Sequence, residues 1–330
     1  MIACAQAPIR IGIAGGGTDL PAWTREHVGR CLSLAVKTYA YAVAIARPDG
    51  QAVASYRQLD VASSATEIAN GLIRESALAH GFYDGFEVHT LSEVSSRGTG
   101  LGVSSSIAVA LAACFAHLAE LRASALSERM TDGSIVTAER ERIACDAWRV
   151  EIDRLRRPIG RQDHMAAAHG GLRIYAFEGD EARIERTFSE EDAAWVAAHL
   201  ALLRLPDGHD ARSILAGVAR AEQVQVAAEA VPVAVRAIEG RDASLLGRAL
   251  EMGQSSKLSI PGAVPPHVAA LVARIHGAGV YGCKIAGAGG GGHLVVACDP
   301  SAVAKVAATV GLSVQSVVPD LTGVRCVGWR

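Results

Sequence analysis

The distribution of apolar positions predicts alternating strands and helices along the first half of the chain. Residues 7–17 predict a strand that runs into a glycine turn, and residues 31–46, rich in β-branched and aromatic side chains, predict one or two strands. Residues 131–158 predict a loop and then a long helix that Pro158 closes. The other elements predicted in this half are strands at 52–63, at 84–91 and from 172, and helices at 65–80, 105–122 and 161–168.

The second half mixes helices and strands in no strict βαβ order, which predicts an α+β fold. The predicted helices lie at 211–229, 232–239, 242–252 and 265–278, and the predicted strands at 198–204, 281–287, 292–298 and 312–318. A polar, turn-like segment at 178–183 predicts a domain boundary near residue 180. The two expected domains are therefore residues 1–180 and residues 181–330.

Composition narrows the classes of ligand. Half of the 330 residues are hydrophobic and the formal net charge is −2, so the bulk field attracts neither nucleic acid nor an anionic membrane. An anionic substrate must therefore be held by local donors. The seven cysteines occur singly, which favours free thiols in a reducing compartment. The start of the chain lacks the pattern of a signal peptide, and the apolar stretch 107–118 is shorter than a membrane span, so a cytoplasmic protein is expected.

A glycine-rich segment leading into a helix is the strongest local signal for chemistry. Its residues are Gly98, Thr99, Gly100, Leu101, Gly102, Val103, Ser104, Ser105 and Ser106. Glycines let a backbone approach a ligand closely, and a helix start offers free N–H groups to an anion. A turn with a serine cap is the alternative interpretation. The segment lacks the Gly-Lys-Ser/Thr ending of a P-loop and the spacing of a dinucleotide fingerprint.

Two further glycine loops follow predicted strands. Residues 14–21 place Gly16 and Gly17 before Thr18 and Asp19, which could face a polyhydroxylated ligand or form a capped turn. Residues 287–292 include Gly289, Gly290 and Gly291. So long a glycine run loses much conformational entropy on ordering, which favours a role beyond packing, with a bulged hairpin as the alternative.

Two carboxylates stand out by position. Glu151 interrupts an apolar helical stripe and needs a cation or a metal as partner, with Arg154 or Arg10 as the structural candidates. Asp163 begins a short helix, either as a cap or as a functional carboxylate.

His164 and His169 are interpreted as packing or surface residues. The run Arg154, Arg156 and Arg157 is interpreted as a solvated helix end, with a phosphate contact as the alternative.

Four motifs in order resemble those of the GHMP kinase family. They are the segments 7–11 with 14–21, 98–111, 160–172 and 287–294, which together cover nearly the whole chain. Members that phosphorylate D-glycero-D-manno-heptose 7-phosphate carry the most similar motifs. The resemblance implies a ribosomal-protein-S5-like N-terminal domain and a ferredoxin-like C-terminal domain with the active site between them.

The resemblance also implies roles for particular residues. ATP phosphates would lie against the loop 98–106, and Mg²⁺ would bind Ser104 and Glu151. Asp163 matches the catalytic aspartate, and Arg10 matches the basic residue that pairs with it. Gly16, Gly17, Thr18 and Asp19 match positions that hold sugar hydroxyls, and Gly289, Gly290 and Gly291 match the motif that closes over the site.

The sequence departs from the family pattern where Val103 occupies a serine position, so that Ser105 could replace Ser104 as the metal ligand. The implied activity is phosphorylation of the anomeric hydroxyl of a heptose 7-phosphate, with ATP and a sugar phosphate as partners and homodimerisation left open. A kinase for an unphosphorylated sugar is the first alternative, and a non-catalytic sugar or nucleotide sensor is the second. A heptose 7-phosphate kinase differs from a kinase for an unphosphorylated sugar by a cationic pocket for the distal phosphate. The candidates for this pocket are Arg25, Arg97 and Arg173.

Overall fold

The computed structural model describes residues 1–95, 98–123, 135, 137–205, 221–258, 260–276 and 278–329. Arg97 and the predicted helical segment 211–220 lie outside these residues. The strands are β1 Ile2–Ala14, β2 Gly29–Ala46, β3 Ala52–Ser55, β4 Leu59–Ala62, β5 Phe86–Ser92, β6 Leu172–Glu178, β7 Glu181–Thr187, β8 Leu200–Arg204, β9 Val280–Ile285, β10 His293–Cys298, β11 Val314–Gln315 and β12 Arg325–Trp329. The α-helices are α1 Pro21–Thr24, α2 Gly71–Ala79, α3 Val103–Ala123, α4 Thr137–Trp148, α5 Gln162–His169, α6 Glu190–Ala198, α7 Ala221–Gly240, α8 Ala243–Leu258, α9 Pro266–His276 and α10 Val303–Val310.

The strands form two sheets within the described part of the chain. The larger sheet runs in the order β12-β1-β2-β5-β3-β4, with β6 paired to β2 and β7 paired to β6. The smaller sheet runs β11-β8-β10-β9. Strand β2 is long enough to pair with β6 through its first residues and with β5 through its last. The mixture of sheets and helices confirms the predicted α+β class.

The last strand returns to the sheet in which the chain begins. Strand β12 pairs antiparallel with the first residues of β1, from Ile2 opposite Trp329 to Gln6 opposite Arg325. The turn near residue 180 joins β6 and β7, which are neighbours in this same sheet. The larger sheet therefore contains strands from both halves of the sequence.

The apolar side chains of β1 connect the two sheets. Ile9, Ile11 and Ile13 are buried in one cluster with Leu250 of α8 and Val295 of β10. A separate cluster packs α9 and α10 on the smaller sheet. Because β1 belongs to the larger sheet and shares a core with the smaller one, it fixes the residues at its C-terminal end relative to both.

Helix α3 differs from its prediction in length. It spans 21 residues and is long and apolar enough to cross a membrane by length and composition, whereas the expected apolar core of 107–118 was too short. However, 72% of its most apolar window is buried inside the protein. Such burial is the pattern of a core helix, since an all-round apolar helix needs apolar neighbours.

Several other predicted boundaries are wrong. The region 52–63 is a hairpin of two strands, β3 and β4, rather than one strand. Pro232 lies inside the continuous helix α7, where a break between two helices was expected. The long helix before Pro158 ends in a π-helical turn, Arg149–Arg154. Helices α6 and α10 and strands β7 and β12 had no predicted counterpart.

Candidate active site

The second and third glycine loops meet beside β1, whose C-terminal end runs into the first loop. A Cβ on Gly100 would lie 2.4 Å from the carbonyl oxygen of Ala286, and one on Gly292 would lie 1.9 Å from that of Gly98. The second and third loops are therefore in backbone contact, which only glycine allows at these positions. Gly98, Gly100 and Gly102 all have positive φ angles, of 62°, 72° and 76°.

Arg10 ties this junction to the helix that carries Asp163. Its Nε donates to Oδ1 of Asp163 and its second terminal nitrogen donates to Oδ2, both at 2.7 Å. Its other terminal nitrogen donates to the carbonyl oxygen of Gly100 at 2.5 Å. Arg10 is 6% exposed, while the Asp163 side chain keeps 23% of its surface. Bidentate pairing of this kind fixes the orientation of a carboxylate without covering it.

Asp163 also lies against the second loop. A Cβ on Gly102 would be 3.2 Å from its Oδ2. The carboxylate therefore faces the backbone that leads into α3, where the free N–H groups of the helix start are located. The predicted pairing of Arg10 with Asp163 is present in the structure.

Glu151 is fully buried at the centre of a hydrogen-bond network. Its Oε1 accepts from the hydroxyl of Ser104 at 2.7 Å and from Arg157, and its Oε2 accepts from Ser105 at 2.9 Å and from Nε2 of His164 at 2.8 Å. Burial opposes ionisation, but the hydrogen bond and charge of His164, with Arg157 and Ser104, lower the pKa of Glu151 to about 2. Glu151 is therefore ionised at neutral pH.

The partners of Glu151 were not predicted. The candidates Arg154 and Arg10 pair elsewhere, Arg154 with Glu75 at 3.3 Å. Arg157, which was expected at a solvated helix end, instead contacts Glu151. His164 is fully buried, and its ring bonds to Glu151 in addition to packing. The π-helical turn explains the change, because it widens the helix at Glu151 and shifts the residues that follow.

The three serines at the start of α3 have different surroundings. Ser104 is half-buried and also accepts from Arg157 at 3.0 Å. Ser105 is 4% exposed and Ser106 1% exposed, and Ser106 donates to the carbonyl oxygen of Pro8 at 2.8 Å. Leu101 and Val103 have their side chains in the core. A ligand at this helix start would thus meet Ser104 and backbone groups.

Oxygen donors suited to Mg²⁺ are present at Ser104 and Glu151. An ionised carboxylate and a hydroxyl are hard ligands, and Mg²⁺ in kinases commonly binds one or two carboxylates together with substrate phosphates. Among the described residues, no group of three or more His, Cys, Asp or Glu side chains could hold a metal by itself. The guanidinium of Arg157 contacts the same two oxygens and is 22% exposed, so it occupies the place where a metal bound to both would lie.

In the first glycine loop, the hydroxyl of Thr18 forms hydrogen bonds that hold the loop closed. The hydroxyl of Thr18 is buried, donates to the carbonyl oxygens of Gly15 and Arg30 at 2.8 and 2.9 Å, and accepts from the Arg30 amide. These bonds leave its hydrogen engaged within the loop. Gly16 is exposed, and neither it nor Gly17 has an atom within 4 Å of an added Cβ, so their backbone borders open space.

Asp19 connects the first loop to helix α5. Its carboxylate accepts from the backbone amide and the side chain of Gln162 at 3.0 and 2.9 Å. Burial raises the pKa of Asp19, against the opposing Gln162 hydrogen bond, and the charge of Asp163 raises it further. A Cβ on Gly160 would lie 1.8 Å from Asp19 Oδ2. Gly160 therefore permits the approach that places Asp19 and Asp163 side by side.

The third loop rests on the segment after α8. The amide of Gly290 donates to the carbonyl oxygen of Ala263 at 2.8 Å, and Gly289 would clash with the same atom if it carried a Cβ. His293, just beyond the loop, bonds through Nδ1 to the carbonyl oxygen of Thr99 at 2.9 Å. Gly289 and Gly290 therefore lie against the segment after α8, and the predicted contact of Gly289, Gly290 and Gly291 with substrate stays a prediction.

Comparison with known proteins identifies the fold of the chain as that of the GHMP kinases. Residues 234–313 match the family model described as GHMP kinases C terminal. The chain thus has the GHMP kinase fold with a GHMP kinase C-terminal domain, and the resemblance predicted from its motifs is confirmed.

Individual relatives narrow the similarity further. The chain is 28% identical over 213 residues to a D-glycero-alpha-D-manno-heptose 7-phosphate kinase of Campylobacter jejuni, an alignment that covers 59% of this chain and 56% of the relative. The match thus spans little more than half the length of that protein.

Solved structures resemble the chain over nearly its whole length. A D-glycero-D-manno-heptose 1-phosphate kinase from Bacteriodes thetaiotaomicron superposes with a TM-score of 0.74 at 18% identity, covering 99% of both chains. Galactokinase of Lactococcus lactis superposes with a TM-score of 0.72 at 13% identity, covering 98% of this chain and 94% of the other. At these identities the superpositions establish the fold alone.

Proposed function

We propose that this protein is an ATP-dependent kinase that transfers the γ-phosphoryl group of ATP to the anomeric hydroxyl of D-glycero-D-manno-heptose 7-phosphate. The product would be the 1,7-bisphosphate. The observation that carries the proposal is the bidentate pair of Arg10 and Asp163 beside the junction of the second and third glycine loops. The relative from Campylobacter jejuni, whose name includes this acceptor, supports the choice of sugar.

In this proposal Asp163 accepts the proton of the acceptor hydroxyl. Its partly exposed carboxylate is held by Arg10 but retains lone pairs for a further hydrogen bond. The acceptor oxygen then forms a bond to the γ-phosphorus as the bond from that phosphorus to the ADP oxygen breaks. An anomeric hydroxyl is more acidic than an ordinary alcohol, so a carboxylate is a sufficient base.

Positive charge and backbone donors would stabilise the phosphates. The amides at the start of α3 would neutralise the β-phosphate, and Arg10 lies beside Asp163, where charge develops on the γ-phosphoryl group. Mg²⁺, bound by Ser104 and Glu151, would supply charge neutralisation of the phosphate oxygens. Asp19, next to Asp163, would orient sugar hydroxyls.

A coupled ADP-release assay tests the proposed function. The purified protein is incubated with ATP, Mg²⁺ and either heptose 7-phosphate or one of a panel of unphosphorylated sugars, including galactose and fucose. We expect the highest kcat/KM with heptose 7-phosphate and a product that carries two phosphates by mass spectrometry. Preference for an unphosphorylated sugar would replace the proposed acceptor, and absence of turnover with every acceptor would favour a non-catalytic sensor.

Replacing Arg157 by glutamine is expected to strengthen the response to Mg²⁺. The variant loses the cation that contacts Ser104 and Glu151, so a metal no longer competes with it. In thermal unfolding with a non-hydrolysable ATP analogue, Mg²⁺ should raise the midpoint of Arg157→Gln by about 2–4 °C more than that of the wild type. Arg154→Gln, which removes an exposed neighbouring arginine, is the control. Equal responses of all three proteins would show that Arg157 does not occupy the metal position.

A further inference from the structure

Two buried lysines have no part in the site described so far. The chain contains 28 arginines but only four lysines, and Lys257 and Lys284 are 9% and 6% exposed. The other two, Lys37 and Lys305, are exposed. Removing an ammonium group from water costs free energy unless a partner compensates for it. The two buried lysines therefore require a physical explanation.

Neither buried ammonium has an acidic partner within the described ranges. The Nζ of Lys284 donates to the carbonyl oxygen of Ile13 at 2.9 Å, and the Nζ of Lys257 donates to that of Ile285. Each ammonium carries three N–H donors. In the part of the chain that the structure describes, one carbonyl oxygen is the only hydrogen-bond acceptor found for each. Both groups can therefore donate further hydrogen bonds.

The two carbonyl oxygens lie at the bases of the glycine loops. Ile13 stands directly before the first loop, and Ile285 stands directly before Ala286, whose carbonyl contacts Gly100 of the second loop. The side chain of Lys284 also passes Gly253 of α8, where an added Cβ would lie 3.6 Å from Nζ. Two side chains from the C-terminal half of the chain, Lys257 and Lys284, thus bond to the bases of the glycine loops.

The surroundings of both lysines disfavour their charged forms. Burial lowers the pKa of Lys284 to about 7, and the charge of Arg10 lowers it in the same direction. Burial, followed by the charges of Lys284 and Arg10, lowers the pKa of Lys257 well below its usual value. The charged form of each lysine is therefore disfavoured as the protein stands, and an anion bound beside the two side chains would restore it.

We propose that Lys257 and Lys284 form an anion site that binds the phosphate group which the acceptor already carries. This inference rests on the proposed function, since it identifies the acceptor as a phosphorylated sugar. Lys284 bonds to the strand that leads into the first loop, beside Asp19, whereas the ATP phosphates are assigned to the loop 98–106. The earlier candidates within the described residues fit less well, because Arg25 is exposed and Arg173 already bonds to Gly170 after α5 and to Thr187 of β7.

Steady-state kinetics separate an acceptor-phosphate site from a nucleotide site. Lys284→Met and Lys257→Met are compared with the wild type and with Lys305→Met, an exposed-lysine control. We expect KM for heptose 7-phosphate to rise about 10–100-fold in each buried-lysine variant, as for the loss of a charged hydrogen bond. KM for ATP, and kcat/KM for the same heptose without its phosphate, should stay within about twofold. A rise in KM for ATP would assign the site to the nucleotide, and equal losses with both acceptors would indicate a structural role; either result overturns the proposal.

Binding of inorganic phosphate tests the site without turnover. With the nucleotide site filled by a non-hydrolysable ATP analogue, phosphate should raise the unfolding midpoint of the wild type and of Lys305→Met but not of the two buried-lysine variants. If it does so while no acceptor is phosphorylated, the anion site stands and the proposed function fails. If the wild type phosphorylates heptose 7-phosphate and all four proteins respond to phosphate alike, the proposed function stands and the anion site is refuted. No response in the wild type also refutes the site.

Discussion

Asp163→Asn is expected to lower kcat by about 10²–10⁴-fold, the usual contribution of a positioned general base. The amide keeps the size of the side chain and a hydrogen-bond acceptor for Arg10, but it cannot take a proton from the acceptor hydroxyl. Ser104 at the start of α3 bonds to Glu151 rather than to this carboxylate. The affinity for ATP should therefore change little.

The measurement combines ADP release with titration of a fluorescent ATP analogue. Asp153→Asn provides the control, because Asp153 is exposed on the π-helical turn near Glu151. The control should retain the wild-type kcat. Turnover of Asp163→Asn close to that of the wild type would remove Asp163 from the mechanism, even if nucleotide binding were normal.

Glu151→Gln is expected to lower the free energy of unfolding by about 3–5 kcal/mol, as for removal of one partner from a buried ion pair. The substitution leaves Arg157 without its counter-charge and gives His164 a neutral partner in a fully buried place. Glu185→Gln, which removes half of an exposed pair with Arg30, should cost less than about 1 kcal/mol. Urea unfolding at neutral pH compares the two variants with the wild type.

The same variant should change the dependence of stability on pH. The pKa of Glu151 is about 2 in the folded protein against 4.5 ordinarily, so its stabilisation is complete above about pH 4.5 and is lost as the pH falls toward 2. The shift corresponds to about 3 kcal/mol. The difference in stability between wild type and Glu151→Gln should therefore shrink as the pH is lowered from 5 to 3. A constant difference would show that folding does not lower the pKa of Glu151.

The glycine loops and the buried carboxylate Glu151 could be predicted from the sequence. Glycine runs such as 98–102 are local signals, since positive φ angles and close backbone approach demand that residue. Glu151 in an apolar helical stripe predicted a buried carboxylate with a partner, and it is fully buried. The pairing of Arg10 with Asp163 came from the family resemblance rather than from either residue's neighbours.

The partners within the site depended on tertiary contacts that no local pattern contains. Arg157 follows a π-helical turn that changes the helical phase after Trp148, and His164 reaches Glu151 from helix α5. Lys257 and Lys284 are 27 residues apart in sequence and meet through the packing of α8 on β9. The break predicted between the helices 211–229 and 232–239 is absent, because α7 continues through Pro232 and packing overrides the local preference.

The pairing of β12 with β1 has a consequence for synthesis on the ribosome. Strand β1 leaves the ribosome well before β12, because its partner at residues 325–329 follows more than three hundred residues later. Until then one edge of Ile2–Gln6 has open amide and carbonyl groups that a foreign strand could pair with. A fragment ending near residue 180 would keep that edge open permanently and would be prone to aggregate, although it contains both Arg10 and Asp163.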